Sequence, residues 1–291
     1  MTATAPTRSG RSHATGSGLT FGGVLRSEWI KLRSLRSTVW CFAIIAVLII
    51  GFGALFSSVA SGFEGMDATP EQQQSLAASV TTIGVAFAQL VAAVLGALII
   101  TGEFGTGMIQ STFAAVPRRT PALVAKLILV AVGTFVVSAV SLAITSVLAV
   151  PLLSGVDIDL DLADGQYWLS MLGAAASVAF MAMIAFGLGM IIRNSTGAIA
   201  AAIGLVFVVP ILFSIAMSLI SGTWIVSLYE FVPPTAASRL YEYATDGSSV
   251  LVAPPVDGAL RLEAWQALLV LVGWVAVLFA AGLALVKRRD V

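Results

Sequence analysis

The chain has 291 residues, 58% of them hydrophobic and only 10% charged, against roughly 25% charged in an ordinary soluble domain. That balance excludes a water-soluble enzyme of the usual kind. With 15 Lys and Arg against 15 Asp and Glu, there is neither a basic surplus for nucleic acid nor an acidic surplus for a solvating tail.

Residues 1–20 are polar and rich in Ser, Thr, Gly and Arg and are expected to form a disordered cytoplasmic tail. The apolar run that follows begins too late and runs too long for a cleaved secretion signal. His13, the single histidine, lies in this tail and reads as a solvent-exposed residue. Phe21 to Arg36 then places Phe21, Leu25, Trp29 and Leu32 at intervals of four, four and three, with Arg26, Lys31, Arg33 and Arg36 largely elsewhere around the helix. This spacing fits an amphipathic helix lying in the membrane interface. A basic anchor that only fixes topology is the other reading.

Charge-free stretches run from Ser37 to Phe63, Gln72 to Gly102, Leu127 to Val156, Gly165 to Ile192, Asn194 to Tyr229 and Ala264 to Val286. Each exceeds the roughly 20 residues a helix needs to cross the hydrocarbon core, and only a helix satisfies its own backbone there without a closed barrel. The expected fold is therefore an all-α polytopic membrane protein, with six spans near 39–59, 79–101, 124–148, 169–192, 196–219 and 264–286. Cys41, the single cysteine, falls in the first span and reads as packing; no intramolecular disulfide or cysteine-clustered metal site is possible. Pro210 should kink the fifth span by removing a helix hydrogen bond, and residues 215–229 read as leaving the membrane and folding partly back. The 221–263 connection, punctuated by two Pro-Pro pairs and carrying Trp224, Tyr229, Phe231, Tyr241 and Tyr243, should hold short interfacial helices.

Six spans put both termini on one side. That side carries thirteen of the 15 Lys and Arg: Arg8, Arg11, Arg26, Lys31, Arg33, Arg36, Arg118, Arg119, Lys126, Arg193, Lys287, Arg288 and Arg289. Its acids are Glu28, Glu103 and Asp290 alone, while the opposite side carries the other 12 and only Arg239 and Arg261. By the Lys/Arg bias of cytoplasmic loops, both termini are expected to be cytoplasmic.

The 102–126 connection, GEFGTGMIQSTFAAVPRRTPALVAK, is the most distinctive segment. Glu103 stands where a span meets the cytoplasm, followed by Gly105 and Gly107, then Pro117, Arg118 and Arg119. Met108, Ile109, Phe113 and Val116 suit one face of a short helix that a groove on another protein could receive. The residues equally allow an interfacial turn in which Arg118 or Arg119 satisfies Glu103.

Chemistry-bearing patterns are missing: there is no HExxH metal motif and no GxxxxGK[ST] phosphate loop, and the serines have no plausible histidine partner. Asp157, Asp159, Asp161 and Asp164 cluster in one loop but lack the calcium-loop pattern, and read as a solvated acidic turn. Catalytic residues, cofactor and metal are expected to be absent. No spanning core contains Asp, Glu, Lys, Arg or His, which weakens ion-coupled transport. Gly96, Gly133, Gly173, Ala174, Ala175, Gly187, Gly189 and Gly197 allow close helix packing.

The chain resembles the permease subunits of ABC-2 type exporters, in their compact six-helix form, from about residue 21 to the C-terminus. The likeness is carried by RSEWIKLRS before the first span, by GEFGTGMIQSTFAAVPRRTPALVAK, and by the final span ending KRRD. The resemblance implies a permease domain over 21–291 and a cytoplasmic elbow helix containing Leu25, Trp29 and Leu32. It also implies an ATPase-docking connection from Glu103 to Arg119: Gly105 and Gly107 permit the turn, Met108, Ile109 and Phe113 lie in the docking element, and Pro117, Arg118 and Arg119 close it. It further implies two separate ATPase subunits, a second permease subunit that is identical or a sister chain, residence in a bacterial inner or plasma membrane, and export of a hydrophobic or antibiotic-like substrate. A polytopic scaffold or assembly protein that transports nothing is the alternative from another class.

Overall fold

Helix ends follow local chemistry. A computed structural model of the chain describes residues 20–60, 69–108, 120–156, 158–220, 222–243 and 258–288. Among these, the long helices are α2 (Arg36–Ser58), α3 (Pro70–Gly105), α4 (Thr120–Ser154), α5 (Gly165–Ile192), α6 (Ser195–Leu219) and α9 (Ala264–Arg288). The short ones are α1 (Phe21–Ser34), α7 (Thr223–Tyr229) and α8 (Pro233–Arg239). The six long helices are each apolar and long enough to cross a membrane, as the charge-free stretches predict, and no strand occurs among the described residues.

The largest difference from the predicted boundaries is at α3, which begins nine residues earlier than the apolar run. Thr69 and Gln72 form a reciprocal capping box with Pro70 in the first turn, a start signal strong enough to carry a polar stretch into the helix. At 36 residues, α3 is about 54 Å long, so it overshoots the roughly 30 Å hydrocarbon core.

Helices α3 and α5 occupy the middle. Their most apolar stretches are 61% and 67% buried, against 17% for α2 and 11% for α6. One core cluster joins α2 and α4 to this pair and a second joins α6, α8 and α9 to it. The two central backbones touch at Gly96, where any Cβ would lie 2.0 Å from the Ala182 carbonyl oxygen. Small residues let membrane helices approach this closely. Polar side chains pair across the same seam, where Gln89 Nε2 donates to Ser177 Oγ at 2.9 Å, and between α5 and α4, where the Tyr167 hydroxyl lies 2.8 Å from Ser146 Oγ.

Pro210 does not break α6. The helix widens into a π turn at Gly204–Val208, where the Val209 N–H reaches back to the Gly204 carbonyl. This wide turn lies just ahead of the proline, whose ring would otherwise crowd the carbonyl one turn before it. After Leu219 the chain turns back, and Tyr229 of α7 stacks on Phe213 with ring centroids 5.3 Å apart. The expected short helices beyond the fifth span are present, and residues 215–219 continue α6.

Candidate functional site

At one end of the bundle α1 lies across the starts and finishes of the spans. Thr20 caps α1 by accepting from the Gly23 N–H, and Leu35 alone forms the extended elbow before α2. Val24, Glu28 and Leu32, four residues apart, form the buried face. Val24 packs on Ala122 and Ala125 of α4. Of the predicted stripe, Leu32 is buried and Leu25 half-buried, whereas Phe21 and Trp29 are exposed. The apolar stripe therefore looks partly away from the bundle, and the face that docks is centred on a carboxylate.

Glu28 is compensated by two lysines. Its Oε1 accepts from Lys31 Nζ at 2.8 Å, within α1, and its Oε2 from Lys126 Nζ of α4 at 2.6 Å. Lys126 Nζ also donates to Glu103 Oε1 in the last turns of α3 at 2.7 Å, and Lys31 lies 3.5 Å from that same oxygen. The Glu28, Lys126 and Glu103 side chains are 3%, 7% and 10% exposed. Two carboxylates and two ammonium groups thus form a neutral set in which Glu28, Lys126 and Glu103 are removed from water and Lys31 stays partly exposed, the pairing a buried charge requires. Burial pushes the Glu28 carboxyl up, but Lys126 and then Lys31 outweigh it and hold the group below its usual value. Burial likewise pulls Lys31 down, while Glu28 and Glu103 raise it above its own.

The last turns of α3 are gripped from the other side as well. Arg193 closes α5 in the left-handed conformation, with φ 59°. Its guanidinium sits 5.2 Å from the centroid of the Phe104 ring and donates to the Leu285 carbonyl of α9 at 3.0 Å. Ser195, in the first turn of α6, bonds Thr101 of α3 at 3.0 Å. Thr101, Glu103 and Phe104 together therefore meet α1, α4 and the α5–α6 turn, immediately before the chain leaves α3, and Arg193 ties that turn to α9. Gly107 then takes φ +71°, which favours glycine, whereas Gly105 is helical with open space around it. Met108 is exposed. Ile109, Phe113, Pro117, Arg118 and Arg119 lie outside the described residues.

The opposite end is closed by a different set. Arg239 of α8 donates through Nε and a terminal nitrogen to the two oxygens of Glu230, at 2.9 and 2.5 Å, and through its other terminal nitrogen to Glu242 at 2.7 Å. Arg261 also pairs with Glu242, and the Leu262 N–H, just ahead of α9, donates to Glu230 at 3.3 Å. The acidic turn is tied down rather than simply solvated: Asp164 caps α5, Gln74 exchanges hydrogen bonds with the Asp161 backbone, and the Tyr243 hydroxyl donates to Asp164 at 2.7 Å. Burial and the Asp164 charge push Tyr243 up to about 12. Asp157 lies outside the described residues, among which no cluster suited to a metal occurs.

A family model described as ABC-2 family transporter protein matches residues 23–291. The chain belongs to the ABC-2 transporter family. Comparison with curated proteins gives no match. The matched span takes in α1 from Gly23 onward, the Glu28–Lys31–Glu103–Lys126 set and all six long helices. The family is a membrane transport component that generally works with a separate ATPase subunit.

Sequence reasoning singled out Glu103 and the elbow helix but missed Glu28, Lys31 and Lys126 as one set, and Arg193 as a tie. A signal for the first was present. Glu28 and Glu103 are, with Asp290, the only acids among the thirteen bases of their side, and Glu28 sits at helical spacing between Val24 and Leu32.

Proposed function

We propose that this ABC-2 protein is the transmembrane permease subunit of an ATP-driven exporter whose ATP hydrolysis takes place on a separate, soluble ATPase partner. The observation that carries the reading is the grip of α1, α4 and the α5–α6 turn on Thr101–Phe104, with Arg193 extending it to α9. A displacement of the connection that follows Phe104 would reach every one of those elements. The 103–119 connection is then the docking segment, with Met108, Ile109 and Phe113 as its apolar contacts and Arg118 and Arg119 closing it against the anionic leaflet. The Lys/Arg bias supports placing that connection and both termini in the cytoplasm of a bacterial cell.

Two copies of the ATPase and a second permease subunit, identical or a sister chain, would complete the assembly. The uncharged middle of the bundle, with its Gln89–Ser177 and Tyr167–Ser146 pairs, favours a hydrophobic or antibiotic-like substrate over an ion. The test is affinity purification of the tagged chain in mild detergent with mass spectrometry of stoichiometric partners. A soluble protein carrying a GxxxxGK[ST] loop is expected, and Ile109→Asp should abolish its recovery without reducing membrane insertion. Recovery of the chain alone, or with membrane proteins that lack that loop, would favour the scaffold reading instead.

A further inference from the structure

The four charges can separate without leaving any of them unpaired. Glu28 and Lys31 both belong to α1 and pair with each other; Glu103 and Lys126 belong to α3 and α4 and do the same. Of the contacts among these four side chains, the Lys126–Glu28 contact at 2.6 Å and the Lys31–Glu103 contact at 3.5 Å cross between α1 and the bundle. Breaking those two leaves two neutral pairs, one on each side of the parting surface.

Among the described residues, the apolar part of the α1 contact is small. Its buried apolar side chains are Val24 and Leu32, with Leu25 half-buried, and a single extended residue, Leu35, joins it to α2. A buried ion set is weak evidence of stability compared with apolar packing, and its best-attested use is in register or switching. Lysine suits a switch better than arginine, because a compact ammonium on a flexible stem can change partners without breaking a planar fork.

Resting on the permease reading above, we propose that α1 is a releasable latch. Lys126 holds it closed through Glu28, and movement of the docking connection opens it by parting the set into its Glu28–Lys31 and Glu103–Lys126 pairs. Lys126 is a positioning residue in this scheme: it acts on the elbow helix through Glu28 and on the docking connection through Glu103. Movement at the end of α3 thereby changes where the first span is anchored.

The test uses the full chain with its co-purified ATPase in lipid nanodiscs. Spin labels are placed at Arg33→Cys on α1 and Gly102→Cys on α3, in a Cys41→Ser background. Both sites are exposed, and a side chain at position 102 meets no neighbour. Distances are measured nucleotide-free and with ATP and vanadate. The expected result is a second, longer distance in one of the two states only. Glu28→Gln with Lys31→Gln keeps the Glu103–Lys126 pair neutral and should fold and bind the ATPase normally, yet show one distance population in both states. A wild-type distance indifferent to nucleotide, or a double variant that keeps the wild-type response, would overturn the latch while leaving the permease reading standing. Failure of any ATPase to bind would overturn the permease reading, and the latch with it.

Discussion

The two ends of the bundle solve the same problem with different cations. At the α1 end, lysines neutralise Glu28 and Glu103 through point contacts, and one oxygen of Glu103 faces both ammonium groups at 2.7 and 3.5 Å. At the α8 end, the Arg239 guanidinium forks onto both oxygens of Glu230 and reaches Glu242 as well. A fork fixes the relative orientation of both partners, whereas an ammonium tolerates exchange. The chain thus has a cap built to stay and an elbow whose contacts can be traded.

The largest expected effect breaks the fixed end. Arg239→Ala leaves Glu230 buried without its cation and should lower stability by about 3–5 kcal/mol, the scale for removing one partner of a buried pair. Thermal unfolding in detergent measures it. Arg239→Lys should recover less than half of that loss, because an ammonium cannot span two carboxylate oxygens; full recovery would erase the distinction between the ends.

Next in size is the rod between them. Gly96→Ala drives a Cβ into the Ala182 carbonyl and should cost about 1–3 kcal/mol, as overpacking does. Disulfide trapping between cysteines placed on α3 and α5 should slow in proportion. An unchanged trapping rate would mean that the close approach of the two backbones contributes nothing to coupling the ends.

The smallest effect sharpens the comparison through pH. Glu28 is held below its ordinary 4.5, so its contribution to α1 docking is present above that value and is lost as pH falls through the lowered one. Lys31 is held above its ordinary 10.5, so its contribution is present below that value and is lost as pH rises through the raised one. Docking of α1 should therefore be constant between these limits and loosen outside them, modestly, because the Lys31 side chain is 32% exposed. Amide hydrogen exchange across 21–34 after pulses at different pH, corrected for intrinsic exchange, follows it. Loosening that begins near neutrality would contradict the assignment of these pairs.

The spans were the most legible part of the molecule, since each is a long uncharged run and length alone decides whether a helix can cross. Five of the six predicted starts lie within four residues of the observed ones; only α3 departs further, because a capping box outweighed hydropathy there. The elbow helix was legible as a helix but not in its orientation: spacing picked out Phe21 and Trp29, which are exposed, while the docked face belongs to Val24, Glu28 and Leu32. Interfacial helices have two apolar environments, lipid and protein, and periodicity does not say which side chain meets which. Glu103 stood out as a helix-end acid, and its partners among the described residues, Lys126 and Lys31, lie on other helices, where local sequence does not point.

From its residues alone this protein is an all-helical membrane chain with six spans, a basic elbow and an uncharged middle, because composition and the cost of bare backbone in lipid permit little else. Only the tertiary structure decided which charges share one buried set, which residue closes α5 onto α9, and how α6 passes its proline. Those outcomes depend on groups as far apart in sequence as Glu28 and Lys126 meeting within 2.6 Å, and local pattern holds no record of such a meeting.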